Sequence, residues 1–347
     1  MTCSYPPALP ANLTVVSWNG DHLMALDQKG NYLRRNRKLK IVEECLPHAP
    51  DVVFIQEPGR YLEGLRDWAA RKDYKCFESQ HLDRTGGVVS LVKRAFALKF
   101  SIVRDEIVAG HVMALRSTRQ LSFVLVNTYF SSLGKPFRIP QYKILGRYVE
   151  KRLTHAFLFG GDQNRNELDR GKYYLPTNGE AGKWAAPDKA ETTLFYKMVL
   201  LPAGCSRVMG SHLGFTHRAG KYVAELDAFY LPNDALSTLT STTSITPIPL
   251  PKPKLSDHDP IILKVHPKGP GQGRTPDWIC KDPEFPDIFA HALILESVKA
   301  GCPPPIILVD KVWTRNPDFP LRLVRSEGEW HETALSASCR KGLELDR

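Results

Sequence analysis

The stretch Ala156 to Asn164 reads A-F-L-F-G-G-D-Q-N. Four apolar residues, two glycines and then Asp-Gln-Asn describe a buried strand, Ala156 to Phe159, that delivers a carboxylate and carboxamides at its C-terminal end. Strand ends are where a sheet can aim side chains into one cleft. The same grammar recurs along the chain. Leu13 to Ser17 (L-T-V-V-S) runs into Trp18-Asn19-Gly20-Asp21, and Asp51 to Gln56 (D-V-V-F-I-Q) runs into Glu57-Pro58. Leu121 to Tyr129 ends on Asn-Thr-Tyr, Glu225 to Leu231 carries Leu226-Asp227, and Ser-Asp-His-Asp-Pro at 256–260 precedes Ile261 to Val265.

Between these lie further expected elements. Val88 to Val92, Ala97 to Val103 and His111 to Leu115 read as strands. Arg37 to Leu46 and Gln141 to Arg152 read as helices, because their apolar residues fall three and four apart. Many strands, few helices and no regular strand-helix alternation give a sheet-rich α/β (α+β) domain with helices packed outside. Residues 1–11 read as an N-terminal extension and 12–266 as the domain. The Pro/Gly-rich segment 267–276 reads as a linker and 277–347 as a weakly patterned tail.

Composition narrows the classes. Of 347 residues, 42% are hydrophobic and 24% charged, which is globular composition and excludes a disordered chain. No apolar run approaches the ~20 residues of a membrane helix, and Met1 to Leu13 lacks the pattern of a secretory signal. The seven cysteines have no zinc or redox spacing, which suggests free thiols in a reducing, intracellular setting, with Cys45 and Cys76 in the core. A net charge of +10 suits a polyanionic partner, since long-range attraction speeds encounter and phosphate contacts add affinity.

The strand-end motifs together offer carboxylates, carboxamides, one histidine and one tyrosine, an oxygen-rich set suited to a hard cation such as Mg²⁺. In their order, the motifs S-W-N-G-D, Q-E-P, N-T-Y, G-G-D-Q-N, L-D and S-D-H resemble the endonuclease/exonuclease/phosphatase superfamily, in particular its exonuclease III-like branch. That branch includes abasic-site endonucleases and the endonucleases of LINE-type retrotransposons. The resemblance spans about residues 12 to 266. It implies a four-layered sandwich, two mixed β-sheets face to face with helices outside.

The same resemblance implies roles. Glu57 corresponds to the central metal-binding glutamate, assisted by Asp21 and Asp257, with Mn²⁺ a possible substitute for Mg²⁺. Asn19 orients the phosphate or catalytic groups, and Tyr129 stabilises the transition state. Asp162 and Asn164 activate and position the attacking water. His258 is the closing histidine, oriented by Asp227. For phosphate or substrate contacts the candidates are Arg34, Arg35, Arg165 and His217. Gln163 stands where relatives carry an aromatic or apolar residue. The helix-face basic residues Lys143, Arg147 and Lys151 read as solvated.

The expected activity is Mg²⁺-dependent hydrolysis of DNA phosphodiesters, as a nicking endonuclease of retrotransposon type. The fold also serves relatives that act on RNA, inositol phosphates, sphingomyelin or protein–DNA adducts. A truncated, inactive retrotransposon copy would keep the same motifs. The segment after Trp278 (W-I-C-K-D-P-E-F) faintly resembles what trails retrotransposon endonucleases.

Overall fold

The computed structural model describes residues 7–24, 39, 42–59, 61–79, 87–165, 172–175, 182–208, 215–220, 222–239, 244–247, 256–266, 323–326 and 329–332. The chain divides into two compact units, Met1–Lys268 and Gly269–Arg347. In the second, Leu323–Ser326 pairs antiparallel with Glu329–Glu332.

The first unit is built on two six-stranded sheets. One contains β1 (Leu13–Asn19), β2 (Val52–Gln56), β3 (Tyr74–Ser79), β4 (Val88–Lys93), β15 (Ser244–Pro247) and β16 (Ile261–Val265), in the order β15-β16-β1-β2-β4-β3. The other contains β5 (Val103–Val108), β6 (Val112–Arg116), β7 (Phe123–Tyr129), β8 (Ala156–Asp162), β11 (Cys205–Arg207) and β14 (Asp227–Pro232), in the order β11-β14-β8-β7-β6-β5. Each sheet is mixed: β1 and β2 run parallel, as do β7 and β8, and the remaining pairs are antiparallel.

Alternation along the strands explains the layering. Leu13, Val15, Val52 and Phe54 join Leu125, Leu158 and Phe229 in the core between the sheets. The intervening Val16, Trp18, Val53 and Ile55 point outward and pack with Leu39, Val42 and Cys45 and with helix α1 (Glu63–Arg71). The α1 residues Leu65, Trp68 and Ala69, three and four apart, form its buried stripe. Outside the second sheet lie α3 (Lys135–Glu150) and α4 (Lys189–Phe195), which contribute Tyr142, Leu145, Val149 and Phe195 to a third core. Three cores separate four layers, as the resemblance implies. Helix α5 (Asn233–Leu239) follows β14.

Two elements differ from the sequence reading. Ala97 to Val103 is not a strand: α2 (Arg94–Phe100) occupies most of it, and the strand begins at Val103. Phe96 and Phe100, four apart, are buried together, and each such burial is worth ~1.5–3 kcal/mol, more than the ~1 kcal/mol range of β propensity. Helix α3 begins at Lys135 rather than Gln141, running through Pro136 in its first turn and Pro140 one turn later. Pro136 is tolerated because first-turn N–H groups lack helical partners. Arg138 anchors this added turn by a bidentate ion pair to Glu191 and a 3.0 Å bond to the Ser131 carbonyl.

Cys45 is buried as expected, whereas Cys76 is only half-buried; both are free thiols, and so is Cys205. Lys143, Arg147 and Lys151 are exposed. Among the described residues, no helix is long and apolar enough to cross a membrane.

The two glycines of G-G-D lie within β8. A Cβ on Gly160 would stand 2.4 Å from the Phe229 ring, and one on Gly161, at φ +146°, would stand 1.9 Å from the Thr128 carbonyl oxygen. Gly161→Ala should therefore destabilise the domain by at least ~3 kcal/mol, through clash and backbone strain together. Gly204, at φ +62° with open space around it, supplies the control, and Gly204→Ala should cost about 1 kcal/mol. Urea denaturation midpoints of the two variants check this; equal shifts would contradict it.

Candidate active site

The site is assembled where the inner faces of both sheets end. Alternation puts Asn19 on the same face as Val15 and Ser17, toward the second sheet. Below it lies a buried polar seam. The Gln56 amide donates to Ser17 Oγ at 3.2 Å and to Asn127 Oδ1 at 2.8 Å, and the Asn127 amide donates to the Val89 carbonyl at 2.9 Å. The two bonds made by Asn127 cross between the sheets and fix their spacing beneath the cleft.

At the top of the seam the Asn19 amide donates to both Glu57 Oε1, at 3.1 Å, and Asp162 Oδ2, at 3.0 Å. Its Oδ1 accepts the Asp21 N–H at 3.0 Å. The Tyr129 hydroxyl donates to Glu57 Oε1 at 2.8 Å. Burial, reinforced by the Glu57 carboxylate, holds the Tyr129 phenol well above its ordinary range, so it remains a neutral donor. Asp162 accepts the Asn164 N–H at 2.8 Å and the Asn164 side-chain amide at 3.1 Å.

The opposite wall carries the histidine. His258 is buried, and its Nδ1 lies 2.8 Å from Asp227 Oδ2. Its Nε2 faces Asp162 Oδ2 at 3.8 Å and Asp257 Oδ1 at 3.9 Å. Burial opposes the imidazolium, but the carboxylates of Asp227, Asp162 and Asp257 prevail and raise its pKa to about 10. Burial also raises Asp162, against the lowering effect of His258 and Asn19. Asp227 is held in place by Thr216, whose Oγ1 accepts its N–H at 3.1 Å. Trp18 and Ser256 tie the histidine loop to β1: Trp18 Nε1 donates to the His258 carbonyl at 3.3 Å, and Ser256 Oγ donates to the Asn19 carbonyl at 2.8 Å.

Among the described residues, two groups of side chains have donor atoms within 4.8 Å of one another and could hold a cation. The first is Asp21, His22 and Glu57; the second is His217, Asp257 and His258. Asp257 thus joins the histidines, its Oδ2 lying 3.2 Å from His217 Nε2, whereas the sequence reading grouped it with Glu57. Asp21, His22 and Glu57 all adopt the left-handed region, at φ +41°, +58° and +50°. Non-glycine residues hold this backbone at a cost, and here it turns three donors toward one place.

A cavity of about 470 Å³ is lined by Asn19, Asp21, Glu57, Asp162, Asn164, His217, Asp257 and His258. Tyr129 is not among the lining residues and reaches the cavity through its bond to Glu57. Arg165 also lines the cavity, but its guanidinium lies 3.6 Å above the Phe195 ring and the residue is buried. Arg34 and Arg35 lie outside the described residues. His217 sits in β12 (His217–Ala219), part of a four-stranded sheet with β9 (Lys172–Tyr174), β10 (Lys183–Ala185) and β13 (Tyr222–Ala224). Gln163 turns away from the cleft, its amide donating to Thr128 Oγ1 at 2.8 Å.

Sequence reasoning missed His22, whose Nε2 is 3.7 Å from Glu57 Oε2, although its place beside Asp21 was a usable signal. It also missed Lys172, Tyr222 and Arg138, which line the cavity and sit in stretches without motif character.

No protein-family model matches the sequence, and comparison with curated proteins finds no match. Solved structures do resemble it. The 3′-5′ exonuclease NExo from Neisseria meningitidis superposes with a TM-score of 0.53 at 16% identity, covering 73% of this chain and 100% of that one. A 3′ phosphatase form of NExo from Neisseria, bound to a product DNA hairpin, gives 0.52 at 16% identity over 73% and 99%. An AP endonuclease from Archaeoglobus fulgidus gives 0.52 at 13% identity over 73% and 99%. With its two mixed sheets face to face and its outer helices, this chain has the fold of these exonuclease and AP endonuclease structures.

Proposed function

We propose that this chain is a divalent-metal-dependent phosphodiesterase that hydrolyses DNA, in the form of a nicking endonuclease of retrotransposon type. The observation that carries the reading is the buried His258–Asp227 pair facing Asp162 across the cleft that holds Glu57. The net charge of +10 and the DNA-processing solved neighbours favour a nucleic acid. The W-N-G-D form also favours a nucleic acid, and the retrotransposon form rests on the segment after Trp278 (W-I-C-K-D-P-E-F), which resembles what trails retrotransposon endonucleases. An inactive copy is disfavoured because every catalytic side chain the motifs call for is present and hydrogen-bonded.

The donor set fits a hard cation. Glu57 with Asp21 would hold Mg²⁺, and the adjacent His22 imidazole makes Mn²⁺ a workable substitute. When bound there, the ion supplies charge that offsets the negative charge developing on phosphoryl oxygens.

The remaining steps belong to the protein's own groups. Asp162, braced by both bonds from Asn164, takes a proton from water as the water oxygen bonds to phosphorus. The bond from phosphorus to the leaving strand's oxygen breaks on the far side, and that oxygen takes up a proton from solvent water. His258, kept protonated by its ring of carboxylates, offers Nε2–H to the phosphoryl oxygens. Asp227 acts through His258, fixing its tautomer and orientation. Asn19 and Tyr129 direct N–H and O–H groups at Glu57 and so hold its carboxylate in one rotamer.

Glu57→Gln keeps an acceptor oxygen for Asn19 and Tyr129 but removes the charge. Nicking of supercoiled plasmid in Mg²⁺ should fall by more than ~100-fold while the far-ultraviolet circular dichroism stays unchanged. Full activity of Glu57→Gln would remove the metal role. For the histidine pair, Asp227→Asn and His258→Ala should each lower kcat by ~10²–10⁴, and the double variant should be little worse than the worse single one. Fully multiplicative losses in single-turnover rates would refute the coupling.

A further inference from the structure

The small sheet beside the cleft carries chemistry that the hydrolytic site does not use. Its register places Lys183, Tyr174 and Tyr222 in one cross-strand row, and Ala185, Lys172, Ala224 and His217 in the row two residues along. Rows two apart share a face. This face is the one toward the cleft, because Lys172, His217 and Tyr222 line the cavity. The intervening row, with Tyr173 and Trp184, is on the other face, where those two rings pack at 4.9 Å.

On the cleft face the rings form a continuous series leading away from the catalytic histidine. Centroids are 4.6 Å apart from His258 to His217, 5.3 Å from His217 to Tyr222 and 6.0 Å from Tyr222 to Tyr174. Lys172 Nζ lies 4.4 Å over the Tyr222 ring. The outermost ring, Tyr174, is 39% exposed, and Lys183 beside it is exposed. An aromatic residue this open at the mouth of a cleft, set among lysines, contributes little to the core. Flat π-faces interleaved with positive charge are what unpaired nucleotides bind, the bases on the rings and the phosphates on the lysines.

From this we infer that the cleft face of the small sheet is a track for unpaired nucleotides of the substrate, running from the scissile phosphate past His217 and Tyr222 to Tyr174 and Lys183. The inference rests on the nucleic-acid reading above and narrows it: the substrate carries unpaired bases next to the cleaved bond, as at an end, a flap or an opened duplex. A continuous blunt duplex keeps its bases stacked on each other and leaves the rings without a partner.

The test is fluorescence anisotropy with the full-length protein in EDTA. The probes are a DNA hairpin with a blunt end and the same hairpin with a short run of unpaired thymidines at its 5′ or 3′ end. One overhang should bind about tenfold tighter than the blunt form, as expected for one or more stacked bases. Tyr174→Ala should abolish that preference and Tyr174→Trp should preserve it, while blunt-hairpin affinity and turnover of bis(4-nitrophenyl) phosphate stay at wild-type values. Lys183→Ala should weaken overhang binding and flatten its salt dependence by about one counterion. Equal wild-type affinity for all three hairpins, or a preference that survives Tyr174→Ala, overturns the track. The hydrolytic reading fails separately: overhang preference without hydrolysis of any phosphodiester keeps the track and rejects the nuclease, and plasmid nicking without overhang preference does the reverse.

Discussion

The two hydrogen bonds from the Asn19 side-chain amide are the contact on which the site depends. One reaches Glu57 at the end of the first sheet, and the other reaches Asp162 at the end of the second. Two carboxylates so close together repel, and a neutral donor between them lets both remain in place. Asn19 can sit there because the Gln56–Asn127 seam beneath it has already set the distance between the sheets. A polar layer buried inside an apolar sandwich is costly unless its groups find partners, so the seam also restricts how the two sheets can slide.

From that contact outward, charge and strain are arranged in sequence. Asp162 and His258 are both buried, and each helps keep the other ionised. Asp227 has one oxygen on His258, while the other, Oδ1, is buried without a hydrogen-bond partner among the described residues, where the imidazole is its main counter-charge. On the opposite side, successive left-handed residues at Asp21 and His22, together with Glu57, hold donors at the cleft mouth. Strain of ~1–3 kcal/mol per such residue persists only when neighbours enforce it. Here the backbone bonds Leu23 N–H to Glu57 O and Met24 N–H to Pro58 O close the turn around them.

Much of this was legible in the sequence, for a physical reason. Strands buried on both faces read as unbroken apolar runs, and G-G-D, Q-E-P and S-D-H interrupt those runs where the chain reaches the cleft. The residues so marked, Asn19, Glu57, Asp162, Asn164, Asp227 and His258, do meet. What stayed hidden was decided by tertiary packing. Ala97 to Phe100 has no period that separates helix from strand, and only the joint burial of Phe96 and Phe100 decides it. Pro140 reads as a helix breaker, and the Arg138–Glu191 pair that carries the helix past it joins residues distant in sequence. No sequence motif marks the contact by which β12 brings His217 to Asp257. The short strands β9 to β13, three residues each, carry too little pattern to be seen at all.

The central claim is that Glu57, held by Asn19 and Tyr129, is the anchor of a divalent-cation site at the junction of the two sheets. Crystals grown with Mn²⁺ and measured at the manganese absorption edge test it most directly. The account predicts an anomalous peak in coordination contact with the Glu57 carboxylate, beside Asp21. A manganese peak found only among His217, Asp257 and His258, or no peak at the cleft at all, would contradict it.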